Sequence, residues 1–214
     1  LPAVDYLISD PQNKNGLSTD RIDFSFGVAS GGKPHKRTVF NQQQFDDWDT
    51  EALAWDNLSK EKVLYLTFDC GYEYENITSE VMDILREKGI QTTFFCTMPY
   101  LRSCPEVVAR MIAEGHAIGN HSNTHPVMPS LTIDKMIYEV TSLHDYVLEN
   151  FGYEMHLFRP PTGEFSIRSL AVVHSLGYKN VHWSFAYADW DNQKQMDREV
   201  AKEKILSNVH PGEV

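Results

Sequence analysis

Two histidines, His121 and His125, are spaced in a way that suits metal binding, and they follow the small and apolar residues 117–119. If a strand ends there and passes into one helical turn, both imidazoles lie on the same side, because residues four apart share a helix face. Neutral imidazole is a common ligand for divalent transition metals, and two imidazoles supply half of a tetrahedral zinc shell. An isolated pair at this spacing is more often two histidines without a metal, so the rest of the chain has to decide.

Further polar residues follow three other apolar runs. The first run, residues 63–68, is almost continuously apolar or β-branched, as expected for a strand that is covered on both faces. Chemistry in parallel α/β folds gathers at the carboxyl ends of the strands, so we expect these residues to share one end of the sheet with the histidines. They are Asp69 and Cys70 after residues 63–68, Arg159 after residues 156–158, and Asp189 in the loop after residues 178–183.

The elements that position these residues alternate between strand and helix along the chain. Amphipathic stripes that end at Gly89 and Gly152 indicate helices, and short apolar runs indicate strands. This alternation predicts an α/β fold with parallel strands and right-handed crossovers, either an open sheet or a barrel. The predicted strands are residues 63–68, 90–96, 117–119, 156–158 and 178–183, and the predicted helices are residues 76–88, 105–114, 132–150, 166–175 and 197–208.

The first sixty residues have a different character. They are punctuated by glycines and show helical hints only at residues 46–48 and 52–55, so we predict mostly irregular structure. Their many aromatic residues are too numerous for a disordered tail in water. We therefore predict that residues 1–60 form an N-terminal arm packed on the main domain, which comprises residues 61–214.

Composition limits the possible partners. The 214 residues suit one domain, and the net charge of −11 argues against a nucleic-acid partner, which would require clustered Lys and Arg. No apolar run approaches the roughly 20 residues needed to cross a bilayer. The first residues, Leu-Pro-Ala, include no Met, so we expect a processed or trimmed chain, which a signal peptide could once have preceded. We expect a monomer.

Four motifs in this order resemble those of the polysaccharide deacetylases, the family-four carbohydrate esterases. They are Thr-Phe-Asp-Cys-Gly at residues 67–71, His-Ser-Asn-Thr-His at 121–125, Arg-Pro-Pro-Thr-Gly at 159–163 and Asp-Trp at 189–190. Residues 66–73 and 183–190 resemble more closely the delta-lactam-biosynthetic de-N-acetylases, which act on muramic acid in the peptidoglycan of spore-forming bacteria. The resemblance implies a distorted TIM-like (β/α) barrel of the NodB homology type and a metal-dependent N-deacetylase.

The resemblance also implies roles for the residues of these motifs. An amide is a poor electrophile, and a divalent metal, with zinc the expected ion, acidifies water and polarises the carbonyl. His121 and His125 correspond to metal ligands, and Asp69 corresponds to the general base. Arg159 would hold the Asp69 carboxylate by a charge-assisted bond and keep it ionised. The alternative for Asp69 and Arg159 is an ordinary ion pair at a strand end.

Cys70 departs from the family pattern, which has a metal-ligating Asp at this position. A thiolate can bind zinc, so Cys70 is one candidate for a third metal ligand. The alternative is a small buried residue, with the metal held by the two histidines and water. A redox or nucleophilic role is a third interpretation. Of the other two cysteines, Cys96 and Cys104 could pair across a short loop, although Cys96 suits a buried strand position better.

The family's general acid is a late histidine in a Leu-x-His motif, and we expect it beyond Val214, so that the barrel is incomplete at the C-terminus of this chain. Asp189 resembles the partner that orients this histidine, and a capping carboxylate is the alternative. Candidate substrate-binding residues complete the site. Tyr72 could offer its backbone N–H to an oxyanion, and Trp183 and Trp190 are either a sugar-binding wall or core residues. Pro160 and Gly163 belong to the Arg159 motif.

The sequence therefore predicts a secreted or surface-attached enzyme that removes the N-acetyl group of N-acetylmuramic acid in the glycan strands of peptidoglycan. A deacetylase of N-acetylglucosamine, in peptidoglycan or chitin-like oligomers, is the alternative within the same enzyme class. A different class is a carbohydrate-binding barrel that lost its chemistry through Cys70.

Overall fold

The computed structural model describes residues 12–14, 16–59, 61–191 and 193–214 of the chain. These residues divide into two compact units that are interleaved along the sequence. The first unit contains residues 66–181 and the described residues up to Phe24, and the second contains Ser25–Tyr65 and His182–Val214. The predicted boundary at residue 60 between an arm and a catalytic domain remains a prediction.

The first unit contains a parallel sheet whose five strands follow one another in chain order. Cys70 on the first strand lies opposite Cys96 on the second, and Phe95 on the second lies opposite Gly119 on the third. This order of successive parallel strands is that of (β/α) architectures, and the predicted fold class is confirmed. The strands are β1 (Thr67–Cys70), β2 (Thr93–Cys96), β3 (Ala117–Asn120), β4 (Leu157–Phe158) and β5 (Lys179–Asn180).

Helices connect these strands, and most of them end where the sequence predicts. The helix α5 begins after Thr132, whose side chain accepts a hydrogen bond from the Lys135 N–H, and it ends before Gly152 in the left-handed conformation. A short helix, α3, lies where the sequence analysis predicted none. The helices of this unit are α2 (Ile77–Lys88), α3 (Met98–Ser103), α4 (Pro105–Ala113), α5 (Ile133–Phe151) and α6 (Ile167–Ser175).

The core of the first unit lies between the sheet and these helices. Phe94 and Ile118 come from β2 and β3, and Val140, Leu143 and Val147 come from the inner stripe of α5. All five side chains are almost fully buried. Burying a side chain of this kind stabilises a fold by about 1.5–3 kcal/mol relative to an exposed one, so the core holds the strand ends in place.

The second unit contains α1 (Lys36–Asp47) and α7 (Arg198–Asn208). The prediction of irregular structure over the first sixty residues was wrong for α1. Its buried side chains are mostly polar, so the apolar periodicity that marks a helix is absent from the sequence. Gln42 shows why such residues are buried there: its Oε1 accepts from the Ala54 N–H at 2.8 Å, and its Nε2 donates to the Ala52 carbonyl at 3.2 Å.

The described helices include none that is long and apolar enough to cross a membrane.

Candidate active site

The ends of three strands bring Asp69, His121 and Arg159 together. Asp69 is the third residue of β1, and His121 and Arg159 directly follow β3 and β4. Arg159 Nη1 donates to Asp69 Oδ1 at 2.8 Å, and His121 Nε2 lies 3.8 Å from Asp69 Oδ2. Residues separated by up to 90 positions in the sequence therefore form one polar cluster because parallel strands present their carboxyl ends at one edge.

The Arg159 guanidinium is fixed on more than one side. Its Nε donates to the Val181 carbonyl at 3.2 Å, and its Cζ lies 4.2 Å from the centre of the Phe95 ring. The Phe95 ring occupies the space beside Gly119, where any Cβ would overlap ring atoms. Position 119 is thus a glycine because any side chain there would overlap the Phe95 ring, which lies against Arg159.

The electrostatics of the cluster keep Asp69 ionised. Burial acts to raise the pKa of the Asp69 carboxyl, but the charge of Arg159 and the hydrogen bond from Arg159 oppose burial, and the pKa is lowered. The Asp69 side chain is nevertheless 41% exposed, whereas those of Arg159 and His121 are almost fully buried. The cluster therefore presents a carboxylate to solvent and keeps its partners beneath the surface.

His121 has a defined tautomer. Its Nδ1 lies 2.8 Å from the Arg159 carbonyl oxygen, which can only accept, so Nδ1 carries the hydrogen. Burial lowers the pKa of His121 despite the neighbouring Asp69 carboxylate, so the ring is neutral at neutral pH. The lone pair of Nε2 is then available on the side that faces Asp69.

His125 lies next to His121, with 4.8 Å between the ring centres. The prediction of a helical turn between them was wrong, because the segment is irregular, and Ser122 and His125 have φ values of 69° and 58°. These left-handed conformations are held by side chains: Ser122 Oγ accepts from the His125 N–H at 2.9 Å, and Asn120 Oδ1 accepts from the Ser122 N–H at 2.9 Å. The two rings meet through this folded loop.

The donor atoms at this site fit a divalent metal only in part. The hydrogen bond at Nδ1 directs Nε2 of His121 away from the protein backbone, and a second imidazole lies beside it. In the part of the chain that the structure describes, no group of three or more His, Cys, Asp or Glu side chains is arranged to hold a metal ion. The chain can thus offer two imidazoles, which suit zinc, and would leave the other positions to water or substrate.

Cys70 lies in the hydrophobic core of the first unit and is 7% exposed. A hydrogen bond with Cys96 and burial raise the pKa of the Cys70 thiol well above its usual value. Without a metal such a thiol is neutral, and its burial among apolar side chains is that of a packing residue. Cys96 and Cys104 are also buried, and all three cysteines are free thiols.

The predicted substrate-binding residues of the first unit lie on the loops after β1 and β4. The Tyr72 side chain is largely exposed. Pro160 and Gly163 are buried, and Gly163 adopts a φ of 75° at the end of the short 3-10 helix Pro161–Gly163. This glycine permits the sharp turn that follows Arg159.

The other three predicted site residues lie in the second unit. Asp189 is in the segment before α7, and its main-chain carbonyl accepts from Gln195 Nε2 at 2.7 Å. Trp190 is largely exposed, whereas Trp183 is half-buried. Their roles remain predictions.

Sequence reasoning missed three residues that support the site. Phe95 and Gly119 support Arg159, and a glycine inside a strand is a known sign of close approach. Glu139 accepts two hydrogen bonds from Thr124, in the loop between the histidines. It lies on the buried stripe of α5, where a charged residue among apolar ones could have indicated it.

Comparison with known proteins agrees with this geometry. Residues 56–181 match the sequence profile described as polysaccharide deacetylase, which is more than half of the chain. The chain belongs to the polysaccharide deacetylase family. The resemblance that the four motifs predicted is thereby confirmed.

Individual relatives place the chain more closely within the family. It is 42% identical over 154 residues to an uncharacterized 30.6 kDa protein of Geobacillus stearothermophilus, covering 72% of this chain and 58% of that one. It is 38% identical over 157 residues to the peptidoglycan-N-acetylmuramic acid deacetylase PdaA of Bacillus subtilis, covering 73% and 59%. It is 30% identical over 163 residues to a peptidoglycan-N-acetylglucosamine deacetylase of Bacillus cereus, covering 76% and 58%.

These matches span less than two thirds of each relative. The solved structure of Bacillus subtilis PdaA, described as a family 4 carbohydrate esterase, superposes with a TM-score of 0.85 at 32% identity, covering 92% of this chain and 83% of that chain. The fold is therefore that of the family-four carbohydrate esterases.

Proposed function

We propose that this protein hydrolyses the N-acetyl group of a cell-wall amino sugar, and that the sugar is N-acetylmuramic acid in peptidoglycan. The observation that carries the proposal is the Asp69 carboxylate, held at 2.8 Å by Arg159 and lying 3.8 Å from Nε2 of His121. A fixed carboxylate beside an imidazole pair suits amide hydrolysis, because the attacking water must lose a proton and the carboxylate can accept it as a general base.

The choice of sugar rests on the relatives. The 38% identical Bacillus subtilis protein is named for N-acetylmuramic acid, and the 30% identical Bacillus cereus protein is named for N-acetylglucosamine. The higher identity and the extensive superposition favour muramic acid. N-acetylglucosamine is the second candidate, and both would place the protein at the cell wall, outside the cell.

The metal in this proposal is zinc, held by His121 and His125. When bound, it acidifies water and polarises the amide carbonyl. Cys70 is a buried packing residue in this proposal, because it lies in the hydrophobic core of the first unit.

The other proposed site residues each have a separate role in the reaction. Asp69 accepts the proton of the attacking water, and Arg159 fixes the direction and charge of that carboxylate. The Tyr72 backbone N–H follows the base closely in sequence and would donate to the developing oxyanion. In this proposal Asp189 orients the general acid, which protonates the leaving amine. Sugar-binding roles are proposed for Trp183 and Trp190, and separately for Pro160 and Gly163.

Substitution of the general base tests the proposal. Asp69→Asn is nearly isosteric but cannot accept the proton, so we expect acetate release from peptidoglycan fragments to fall about 10²–10⁴-fold while zinc stays bound. Asp145→Asn, on an exposed position of α5, is the matched control and should keep full activity. Mass spectrometry of the product sugars would show which one lost its acetyl group.

Two results would contradict the proposal. If Asp69→Asn kept near-native turnover, Asp69 would not be the base. If the full-length protein bound acetylated glycan without releasing acetate, the barrel would be a carbohydrate-binding module.

A further inference from the structure

The loop that carries His125 needs support from outside itself. Ser122 and His125 both adopt left-handed backbone conformations, with φ values of 69° and 58°. Such a conformation costs a residue with a Cβ on the order of 1–3 kcal/mol, and it persists only where neighbouring structure enforces it. His121, by contrast, continues the β3 ladder through the bond from its N–H to the Cys96 carbonyl at 3.0 Å.

The support comes from one turn of α5. Glu139 Oε2 accepts from the Thr124 N–H at 2.7 Å, and Glu139 Oε1 accepts from Thr124 Oγ1 at 2.7 Å. The Glu139 carbonyl accepts from the Asn123 N–H at 3.0 Å. Both carboxylate oxygens of Glu139 therefore accept short, charge-assisted hydrogen bonds from Thr124, the residue that directly precedes His125.

The same turn also holds the start of the loop. The Val140 carbonyl accepts from Asn120 Nδ2 at 2.8 Å, and Asn120 Oδ1 accepts from the Ser122 N–H at 2.9 Å. Residues 139 and 140 thus fix both ends of the segment between the histidines. A helix that is packed in the core through Val140 and Leu143 gives this support its rigidity.

The burial of Glu139 makes the contact specific. The residue is 8% exposed. A buried charge costs free energy unless its hydrogen-bonding capacity is met, and the Thr124 N–H and hydroxyl meet it here. The carboxylate therefore specifies where Thr124 must lie, and the position of His125 follows from that.

We propose that Glu139 is the positioning residue of His125, and that its carboxylate sets the affinity of the histidine pair for a divalent cation. This inference rests on the proposed function only in taking His121 and His125 as the ligands. It assigns to Glu139 no contact with substrate and no part in proton transfer.

Zinc affinity, measured by competition with a chelating dye on the full chain, tests the inference. Because outer partners of metal ligands typically contribute 10–100-fold in affinity, Glu139→Ala should weaken zinc binding about 10-fold or more. Glu139→Gln keeps one acceptor and should lose only a few-fold. Thr124→Val should weaken binding several-fold, and Thr124→Ser, which keeps the hydroxyl, should restore it. Glu149→Gln, at an exposed position of the same helix, is the matched control.

Two further comparisons separate positioning from a merely structural role. The double variant of Glu139→Ala with Thr124→Val should bind zinc no more weakly than Glu139→Ala alone, because the two changes remove one contact. In a His125→Ala background, Glu139→Ala should cause no further loss of affinity. A structural role alone would lower the free energy of unfolding of the metal-free protein and leave zinc affinity unchanged.

The outcomes are distinguishable from those of the proposed function. If Glu139→Ala and Thr124→Val both bind zinc within two-fold of the unaltered protein, the inference is overturned while deacetylation can still be correct. If zinc affinity responds as expected but no acetate is released, only the proposed function fails. If the unaltered protein binds no zinc, both fail. Should Glu139→Ala not fold, Glu139→Gln and Thr124→Val give the same decision.

Discussion

The two histidines of the site belong to one short motif, yet different parts of the molecule hold them. His121 is buried, its N–H bonds to β2, and its ring Nδ1 donates to the Arg159 carbonyl at 2.8 Å. His125 is exposed, has a φ of 58°, and lies in a loop that Ser122 and α5 support. The spacing of a motif thus fixes which residues can be ligands, but not what positions each of them.

This difference has an energetic side. The sheet positions His121 without strain, because its backbone simply continues a strand. The loop positions His125 in a conformation that a residue with a Cβ adopts at a cost on the order of 1–3 kcal/mol. Strain of this kind is typical of functional sites, and here it is confined to one of the two histidines.

The largest expected effect comes from removing each histidine. His121→Ala and His125→Gly should each lower zinc affinity by more than about 100-fold, since a ligand contributes more than the outer contacts that orient it. The metal-free proteins should differ. His121→Ala leaves a buried gap and removes the hydrogen bond to the Arg159 carbonyl, so it should lower the free energy of unfolding by about 1–3 kcal/mol. His125→Gly relieves strain and should change it by less than about 1 kcal/mol.

Urea unfolding in the presence of a chelator, alongside zinc titration, measures both quantities. Equal losses of unfolding free energy in the two variants would contradict the comparison, because they would mean that the fold depends equally on both histidines.

The same comparison shows how far the sequence predicts the structure. Helices with an apolar stripe and a glycine stop were predicted to within about a residue: α2 ends before Gly89 and α5 before Gly152, both in the left-handed conformation. The helix α1 was missed because its buried face is formed by residues such as Asn41 and Gln42, whose partners are backbone groups elsewhere in the chain. Local periodicity cannot reveal partners of that kind.

The site likewise has residues whose positions the sequence predicts and residues whose positions it does not. Asp69, His121 and Arg159 lie at strand ends, and a parallel topology brings strand ends together, so sequence order alone predicts their proximity. The loop depends on Glu139, 14 residues beyond His125, and on left-handed conformations of residues that are not glycine. The left-handed conformations of these loop residues depend on contacts between the loop and α5, which the sequence pattern does not specify.

A second prediction concerns Gly119, the strand residue that leaves room for the Phe95 ring against Arg159. An added methyl group would overlap the Phe95 ring, which lies under the Arg159 guanidinium. Overpacking of this kind typically costs about 1–3 kcal/mol, so Gly119→Ala should lower the free energy of unfolding by that amount in urea. Gly71→Ala is the matched control, because no atom lies within 4 Å of the added Cβ and its φ is not left-handed. Equal stability of the two variants would show that the Phe95 ring moves at little cost.

The smallest expected effect is the pH dependence that the Asp69 carboxyl gives to the free energy of unfolding. Although burial opposes it, the charge of Arg159 lowers the folded pKa of Asp69 below the ordinary value of 3.8, so the unfolded chain binds the proton more readily. The pair therefore contributes stability that is full above the unfolded pKa and is lost as pH falls through the folded pKa. Because the Asp69 side chain is 41% exposed, solvent screens the pair and the contribution should stay below about 1 kcal/mol.

The measurement is the difference in unfolding free energy between the unaltered protein and Asp69→Asn, both metal-free, from pH 6 down to pH 3. Taking the difference removes the acid sensitivity that the two proteins share and leaves the contribution of the carboxyl group together with its charge interaction with His121. The advantage of the unaltered protein should be constant near neutral pH and shrink in acid. An advantage that grew as the pH fell would mean that burial outweighs Arg159 and that the carboxyl binds its proton more tightly in the folded state. Asp69 would then be a weaker candidate for an ionised base, even with both histidines correctly placed.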